Sequence, residues 1–295
     1  MTREVSAAPN SDEVTTASSQ KFRSASILES IGDRVGRAVP TSRFRPLLKS
    51  AYRGLINLTT HNRGLECTLP GGERVFISPG FRYVSWNTDE YEAFKQSLGP
   101  GGVALDIGAN VGCYSMLFGQ WVGQAGRVFA FEPAPETFAG LKEHIRLNQL
   151  DGVISPIEAA VSDQSEKADF LLNEHGGMSR LAASADDASQ AMTVRVPTIT
   201  VDDFCARENI APDLIKIDVE GFELMVLRGA RETIKKGGAD LSVFVEMHPT
   251  TWKELGFSKA DLAAELEEQG LQAVPLSAKS DPWTVEGECM RLVKL

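Results

Sequence analysis

Short apolar segments alternate with longer amphipathic segments from residue 103 onward. Apolar runs of about four to eight residues predict buried strands, and apolar residues at helical spacing predict helices between them. Because strands that alternate with helices form parallel sheets, the pattern favours a doubly wound α/β fold. The first predicted elements are strand 103–106, a helix ending at residue 122, strand 127–131, helix 135–147 and strand 154–161.

The alternation breaks over residues 163–203, where glycines, small polar residues and short extended pieces predict an inserted hairpin or lid. It then resumes, and Ser258 and Asp261 have the spacing of a helix-capping pair. The closing segments predict an antiparallel strand at the edge of a mostly parallel sheet. The resumed elements are strand 214–218, a helix from about residue 222, strand 241–246, helix 259–269 and an antiparallel pair over 272–275 and 290–293.

The first 98 residues follow a different pattern. Residues 1–25 are rich in Ser, Thr and Ala with few large apolar side chains, which predicts a disordered tail. Residues 26–58 carry apolar residues at roughly helical spacing, and a hairpin closed by a Pro-Gly-Gly turn follows them. We therefore divide the chain into the tail, an N-terminal helical and hairpin extension over 26–98, and a main domain over 99–295 that contains the insertion.

Charge and cysteine usage narrow the class of protein. The 295 residues carry a formal net charge of −10 with a pI near 5.0, which argues against nucleic acid as the main partner. Up to residue 60 the chain holds nine basic and five acidic residues, and the role of this basic extension stays open. No run of about 18 apolar residues is present, and the four scattered cysteines predict reduced thiols. We expect a cytoplasmic protein without a transmembrane segment.

A glycine-containing turn joins the first predicted strand to the helix after it. Gly108 permits a tight turn, Asn110 tolerates positive φ, and Gly112 lets the helix pack closely on the sheet. The helix would present free backbone N–H groups to an anionic part of a ligand. The glycine spacing does not match the G-x-G-x-x-G of dinucleotide sites, so NAD is disfavoured. Glu132 ends the next strand, where a carboxylate would accept hydrogen bonds from ribose hydroxyls.

Charged residues gather at the ends of two later strands. Lys216, Asp218 and Glu220 would share one face if their strand continued through them, and Glu246 and His248 end the following strand. Buried charges are tolerated mainly in ion pairs or around a ligand, so a polar cluster is expected at this edge. In the purely structural alternative, Lys216 pairs with Asp218 and His248 bonds a backbone carbonyl.

Metal binding is a second alternative for this cluster. Its carboxylates and imidazole could bind Mg²⁺ or a similar ion, but no spacing demands one, so a divalent metal is not favoured. The remaining histidines, His61, His144 and His175, are isolated and are predicted at surface or loop positions.

Several motifs in a fixed order resemble the FkbM-type methyltransferases. They are DIGANVG at 106–112, FEP at 131–133, PTITVDD at 197–203, IKIDVEGFE at 215–223, VLRGA at 226–230 and EMH at 246–248. The resemblance covers about residues 65–250. It implies the class I methyltransferase (Rossmann-like) fold, S-adenosyl-L-methionine as methyl donor and, in many members, O-methylation of hydroxyls on natural products or sugars.

The resemblance also assigns candidate site residues. The residues expected to bind the cofactor are Asp106, Gly108, Ala109, Asn110, Gly112, Tyr114, Glu132, Val161 and Asp218. For catalysis, proton removal from a hydroxyl needs a positioned base. We hypothesise that His248 or Asp218 is that base and that Glu220 and Glu246 position the base or the acceptor.

The expected function is O-methylation of a small hydroxylated acceptor. Three alternatives stay open: an N-methyltransferase on the same fold, a nucleoside-cofactor enzyme with other chemistry, and a non-catalytic protein that binds the cofactor. The acceptor, its regiochemistry and the oligomeric state do not follow from the sequence.

Overall fold

The computed structural model describes residues 63–81, 84–171, 193–277, 281, 283–284 and 286–295, and the short pieces 21–22, 54 and 180–181. Nearly all of the predicted tail and of the predicted helices over 26–58 lie outside these residues, as do His61 and His175. Strand β1 (Lys21–Phe22) pairs antiparallel with β4 (Trp86–Asn87). The hairpin of the extension is confirmed as β2 (Leu65–Thr68) paired with β3 (Arg74–Ile77).

A seven-stranded sheet forms the centre of the main domain. Its members are β5 (Val103–Ile107), β6 (Arg127–Phe131), β7 (Ile154–Ile157), β12 (Leu214–Ile217), β13 (Ser242–Met247), β14 (Leu271–Pro275) and β15 (Glu288–Lys294). The spatial order is β14-β15-β13-β12-β5-β6-β7. Strand β15 is antiparallel to both of its neighbours, so the predicted mostly parallel sheet with an antiparallel closing pair is confirmed.

In the described part of the chain, helices cover both faces of this sheet, and the sheet separates two apolar layers. In the first layer Ala104 of β5 and Phe244 of β13 meet the helices on one face, and in the second Leu105 and Val243 meet those on the other. This alternation follows from the two-residue period of a strand. The helices are α1 (Thr88–Ser97), α2 (Cys113–Val122), α3 (Pro135–Leu147), α4 (Val201–Glu208), α5 (Glu223–Arg228), α6 (Arg231–Gly237), α7 (Pro249–Glu254) and α8 (Lys259–Glu268).

The sequence pattern located α2, α3, α5 and α8 but missed α1 and α7. The start of α8 has the predicted capping box, in which Ser258 accepts from the backbone of Asp261 and the Asp261 carboxylate accepts from the backbone of Ser258. Helix α4 was not predicted. Its first turn is capped by the Thr200 side chain, which accepts from the Asp203 N–H at 2.9 Å, so the capping spacing at 200–203 was the signal available.

The chain leaves the central sheet earlier than predicted. Instead of one strand over 154–161, β7 ends at Ile157 and β8 (Ala160–Val161) pairs with β11 (Thr193–Ile199) in a separate sheet. Strand β9 (Lys167–Leu171) joins this sheet between β11 and β10 (Arg180–Leu181). The predicted extended pieces of the insertion therefore form antiparallel strands, while residues 172–179 and 182–192 lie outside the described part.

The order of the strands locates the binding edge. Chain order runs outward from β5 through β6 and β7 on one side, and through β12 and β13 on the other. The carboxyl ends of β5 and β12 therefore flank a topological switch point, where doubly wound sheets bind ligands. Among the described residues no helix is long and apolar enough to cross a membrane, and all four cysteines are free thiols.

The prediction of a surface or loop position for His144 is wrong. His144 lies in α3 and is fully buried, and its Nδ1 lies 2.7 Å from the carbonyl oxygen of Val111. Its Nε2 accepts from the Ser78 N–H at 2.9 Å, so Nδ1 carries the proton. The neutral imidazole thereby connects the hairpin segment to the glycine turn.

We predict that His144→Phe destabilises the fold by about 2–5 kcal/mol, because the Val111 carbonyl and the Ser78 N–H lose their partner inside the protein. Burial lowers the pKa of His144 from 6.5, so the unfolded chain binds the proton more strongly and stability falls as pH drops below this value. Urea unfolding at about pH 5.5 and 7.5 should show a smaller pH effect in the variant than in the wild type. An unchanged pH effect would contradict the assignment.

Candidate active site

The turn after β5 is built from residues in left-handed backbone conformations. Gly108, Asn110 and Gly112 have φ of +79°, +52° and +87°. The N–H groups of Gly108 and Ala109 both donate to the carbonyl oxygen of Phe131, at 3.1 and 2.8 Å, so the turn is fastened to the end of β6. A Cβ on Gly108 would collide with the carbonyl oxygen of Asp218. Only glycine permits this approach of the turn after β12.

Glu132 completes this side of the edge. Its carboxylate accepts from the Asn110 N–H at 3.0 Å and from the Ala134 N–H at 2.8 Å. Burial raises the pKa of Glu132 to about 7, although these backbone hydrogen bonds act in the opposite direction. Asn110 itself is exposed, whereas Glu132 is buried beside it, so the turn reaches solvent above its carboxylate.

Tyr114 and Val161, two other residues predicted to bind the cofactor, lie in different surroundings from each other. The Tyr114 hydroxyl accepts from the Asn87 N–H at 3.1 Å, and the centroid of its ring lies 5.5 Å from Nζ of Lys216. Val161 lies in β8, pairs with Ile199 and packs within the second apolar layer. The structure therefore brings Tyr114 to the charged edge and places Val161 apart from the polar groups.

A buried ion-pair network lies beneath the two turns. Nζ of Lys216 is 3.0 Å from Oδ2 of Asp218 and 3.9 Å from Oδ1 of Asp106, and Ser115 donates to the other Asp106 oxygen. Burial lowers the pKa of Lys216, but the charges of Asp218, Asp106 and Glu246 outweigh burial and raise it. Lys216 is therefore a fixed cation among carboxylates, as the structural alternative expected. Asp106, expected to bind the cofactor, lies buried in this network.

The condition under which Lys216, Asp218 and Glu220 would share one strand face is not met. Strand β12 ends at Ile217, and Glu220 and Gly221 adopt φ of +53° and +107°. A Cβ at Gly221 would approach Thr251 Cγ2 to 2.6 Å, so this turn packs closely on α7. The reversal, rather than strand alternation, brings the Glu220 carboxylate to His248.

His248 lies at the centre of four carboxylates. Its Nε2 is 3.2 Å from Glu220 and 3.9 Å from both Asp218 and Glu246. Its Nδ1 is 2.7 Å from Oε1 of Glu223, so the partner is a carboxylate and not the backbone carbonyl of the structural alternative. The structure thus brings the four predicted catalytic residues together.

Glu223 was not singled out from the sequence. It is fully buried at the start of α5, and Trp252 Nε1–H of α7 donates to its Oε2 at 2.6 Å. A glutamate in the first turn of a helix is ordinarily a solvated group that complements the helix dipole. Its buried contacts depend on the packing of α7, which the residues around position 223 do not indicate.

Charge sets the protonation of this cluster. Burial lowers the pKa of His248, but the hydrogen bond and charge of Glu223, with the charges of Asp218 and Glu220, raise it to about 10. Burial raises the pKa of Asp218, but Lys216 and His248 outweigh burial and hold it below its usual value. Burial raises the pKa of Glu220 to about 7 and, with the charge of Asp218, raises that of Glu246. At neutral pH His248 is therefore cationic and Asp218 is ionised.

The same groups could also hold a metal ion. One ligand atom each from Asp218, Glu246 and His248 lies within 4.8 Å of the others. Lys216 already places a positive charge against Asp218, so the carboxylates are partly neutralised by the protein itself.

The family model described as the methyltransferase FkbM domain matches residues 106–272. This match covers more than half of the chain, and the chain belongs to the FkbM methyltransferase domain family. The seven-stranded sheet is accordingly the Rossmann-like sheet of a class I methyltransferase.

Three curated relatives are similar to the chain. Hexuronic acid methyltransferase AglP of Haloferax volcanii is 29% identical over 147 residues, covering 50% of this chain and 56% of the relative. The 2-O-methyltransferase NoeI of Sinorhizobium fredii is 31% identical over 151 residues, covering 46% and 60%. The 31-O-demethyl-FK506 methyltransferase FkbM of Streptomyces tacrolimicus is 29% identical over 199 residues, covering 56% and 75%. The chain thus spans little more than half the length of the first two relatives.

Among solved structures, a methyltransferase FkbM from Methylobacillus flagellatus KT is 17% identical with a TM-score of 0.43, covering 68% of this chain and 50% of that chain.

We predict that Gly108→Ala destabilises the protein more than Gly101→Ala does. Both glycines have similar φ, +79° and +83°, but a Cβ at Gly101 meets nothing within 4 Å. Each substitution carries about 1–2 kcal/mol of backbone strain, and only Gly108→Ala adds the collision with the Asp218 carbonyl. Chemical denaturation of the two variants measures the difference. Equal losses of unfolding free energy in the two variants would contradict the prediction, because they would show that the turns after β5 and β12 can move apart without cost.

Proposed function

We propose that the chain is an S-adenosylmethionine-dependent O-methyltransferase that acts on a hydroxyl of a small molecule, sugar or natural product. The observation that carries the proposal is the contact of two turns. One turn holds the Glu132 carboxylate through the Asn110 N–H, and its Gly108 lies against the carbonyl of Asp218, whose carboxylate is 3.9 Å from His248. One turn has the groups that a nucleoside cofactor requires, and the other has groups that can handle a proton. The relatives named for 2-O and 31-O methylation support oxygen as the acceptor atom.

The described residues fit the cofactor. The Glu132 carboxylate would accept from the ribose hydroxyls, and the turn at 108–112 with the N-terminus of α2 would face the methionine carboxylate. A Cβ on Gly108 or Gly112 would collide with the Asp218 carbonyl or with Leu141, so the two glycines let the turn pack this closely on the rest of the protein. Asp106, Ala109 and Tyr114 would complete the methionine end, and the segment around Val161 would border the adenine. When bound, S-adenosylmethionine supplies an electrophilic methyl group.

The residues of the chain would align the acceptor oxygen and remove its proton. Asp218 is ionised at neutral pH and can accept a proton directly, whereas His248 must first release the proton on Nε2. Glu220 and Glu246 flank Nε2 and would orient the acceptor hydroxyl or the base. A metal ion is not required by this scheme, because Lys216 and His248 already neutralise part of the charge.

The cysteines and the net charge support a proposal for the location of the protein and for the class of its acceptor. Four free thiols favour a reducing compartment, so we propose a cytoplasmic location. The net charge of −10 disfavours nucleic acid as the acceptor.

The test is transfer of a labelled methyl group from S-adenosylmethionine to a panel of sugars and hydroxylated natural products, with amines alongside. We expect labelled ethers, and at least one of His248→Ala and Asp218→Asn should lower the rate more than about tenfold while the cofactor still binds. Asp151→Asn, on an exposed turn, is the matched control and should leave the rate unchanged. Thorough chelation should also leave it unchanged.

The pH profile separates the two bases. If His248 is the base, kcat should rise with pH towards about 10, because the imidazolium must lose its proton. If Asp218 is the base, kcat should be flat across the neutral range. Methylation of amines alone would indicate an N-methyltransferase, and full activity in both variants would contradict the proposed bases.

A further inference from the structure

We infer that Glu223 is a positioning residue that fixes the ring of His248 and determines which of its nitrogens faces the acceptor. The inference rests on the proposed function, in which His248 lies beside the reacting hydroxyl. No role was assigned to Glu223 by its sequence context, and it does not itself face the acceptor side of the cluster.

Three donors bond the two oxygens of the Glu223 carboxylate. Oε1 accepts from His248 Nδ1–H at 2.7 Å and from the Gly221 N–H at 2.9 Å, and Oε2 accepts from Trp252 Nε1–H at 2.6 Å. The side chain is fully buried, so water does not compete for these bonds. An ionised carboxylate accepts only, and each of its oxygens therefore meets donors alone. The ring of His248 is held from one side by this group.

The opposite nitrogen, Nε2, faces the three other carboxylates of the cluster. Nε2 faces Glu220, Asp218 and Glu246, with Glu220 the nearest at 3.2 Å. Because Glu223 retains the proton on Nδ1, a proton lost from the imidazolium must leave from Nε2. The neutral ring then presents an unprotonated Nε2 to the site. In metal sites, mutation of the buried partner that orients a histidine commonly lowers metal affinity or activity 10- to 100-fold.

An amide at position 223 cannot satisfy the same three donors. If the amide oxygen of Glu223→Gln accepts from His248 and Gly221, its NH₂ group meets the Trp252 N–H. If the amide is reversed, its NH₂ group faces Nδ1 and forces the proton of the neutral ring onto Nε2. Trp252→Phe removes the conflicting donor. The double variant can therefore keep the amide oxygen on Nδ1–H and restore the original arrangement.

The first experiment observes the ring directly by ¹⁵N NMR of the full chain, from about pH 6 to pH 11, with His248→Gln for assignment. In the wild type and in Trp252→Phe, neutral His248 should carry its proton on Nδ1. In Glu223→Gln a substantial share of the proton should move to Nε2, and Glu223→Gln/Trp252→Phe should return it to Nδ1. Glu223 also holds the charged form, so the midpoint of the titration should fall in Glu223→Gln.

The second experiment measures methyl transfer with the same variants. We expect Glu223→Gln to lower kcat about 10- to 100-fold with the acceptor KM within about threefold of wild type. Trp252→Phe should stay within about threefold of wild-type kcat, and the double variant should recover to within about fivefold of Trp252→Phe. A merely structural role would lower the double variant further, because two buried contacts are then lost.

Several results would overturn the inference. One is a neutral His248 ring that carries its proton on Nε2 in the wild type, and this result requires no variant. Another is a Glu223→Gln protein with wild-type tautomer and kcat, and a third is a double variant no more active than Glu223→Gln. If the wild type methylates no acceptor at all, the proposed function fails, whereas the NMR result still decides the role of Glu223.

Discussion

The close approach of two backbone turns governs the geometry of the candidate site. The turn after β5 and the turn after β12 touch where Gly108 lies against the carbonyl oxygen of Asp218, a contact that no side chain larger than hydrogen permits. Because neighbouring parallel strands end at the same edge, this contact sets Glu132 on one side and His248 on the other. Both proposed halves of the reaction depend on this single approach.

Charge balance is the second constraint. Burying several carboxylates together is costly unless cations compensate them, and the structure supplies Lys216 from inside β12 and protonated His248 from the end of β13. Lys216 is sequestered by Asp218 and Asp106, so it stabilises the edge without facing the acceptor. His248 is the cation that can still exchange its proton, and this distinguishes its proposed role from that of Lys216.

Short continuous motifs were enough to predict much of the fold and part of the candidate site. The turn at 106–112 and the strand ending in Glu132 are continuous segments, and the structure places them together, although their cofactor roles stay predictions. The partners of His144 and Glu223 lie 66 and 25 positions away in sequence, so no local pattern could identify these contacts. Strand alternation does not bring Glu220 to the cluster, because Glu220 and Gly221 both have positive φ, yet the turn that they form places the Glu220 carboxylate 3.2 Å from His248.

A structure of the chain bound to S-adenosylhomocysteine tests the central claim most directly. The account predicts that the ribose hydroxyls bond the Glu132 carboxylate and that the sulfur lies at the edge where Gly108 meets Asp218, with Nε2 of His248 facing the space beside it. A nucleoside bound elsewhere, or one bound with its sulfur directed away from Asp218 and His248, would contradict the account.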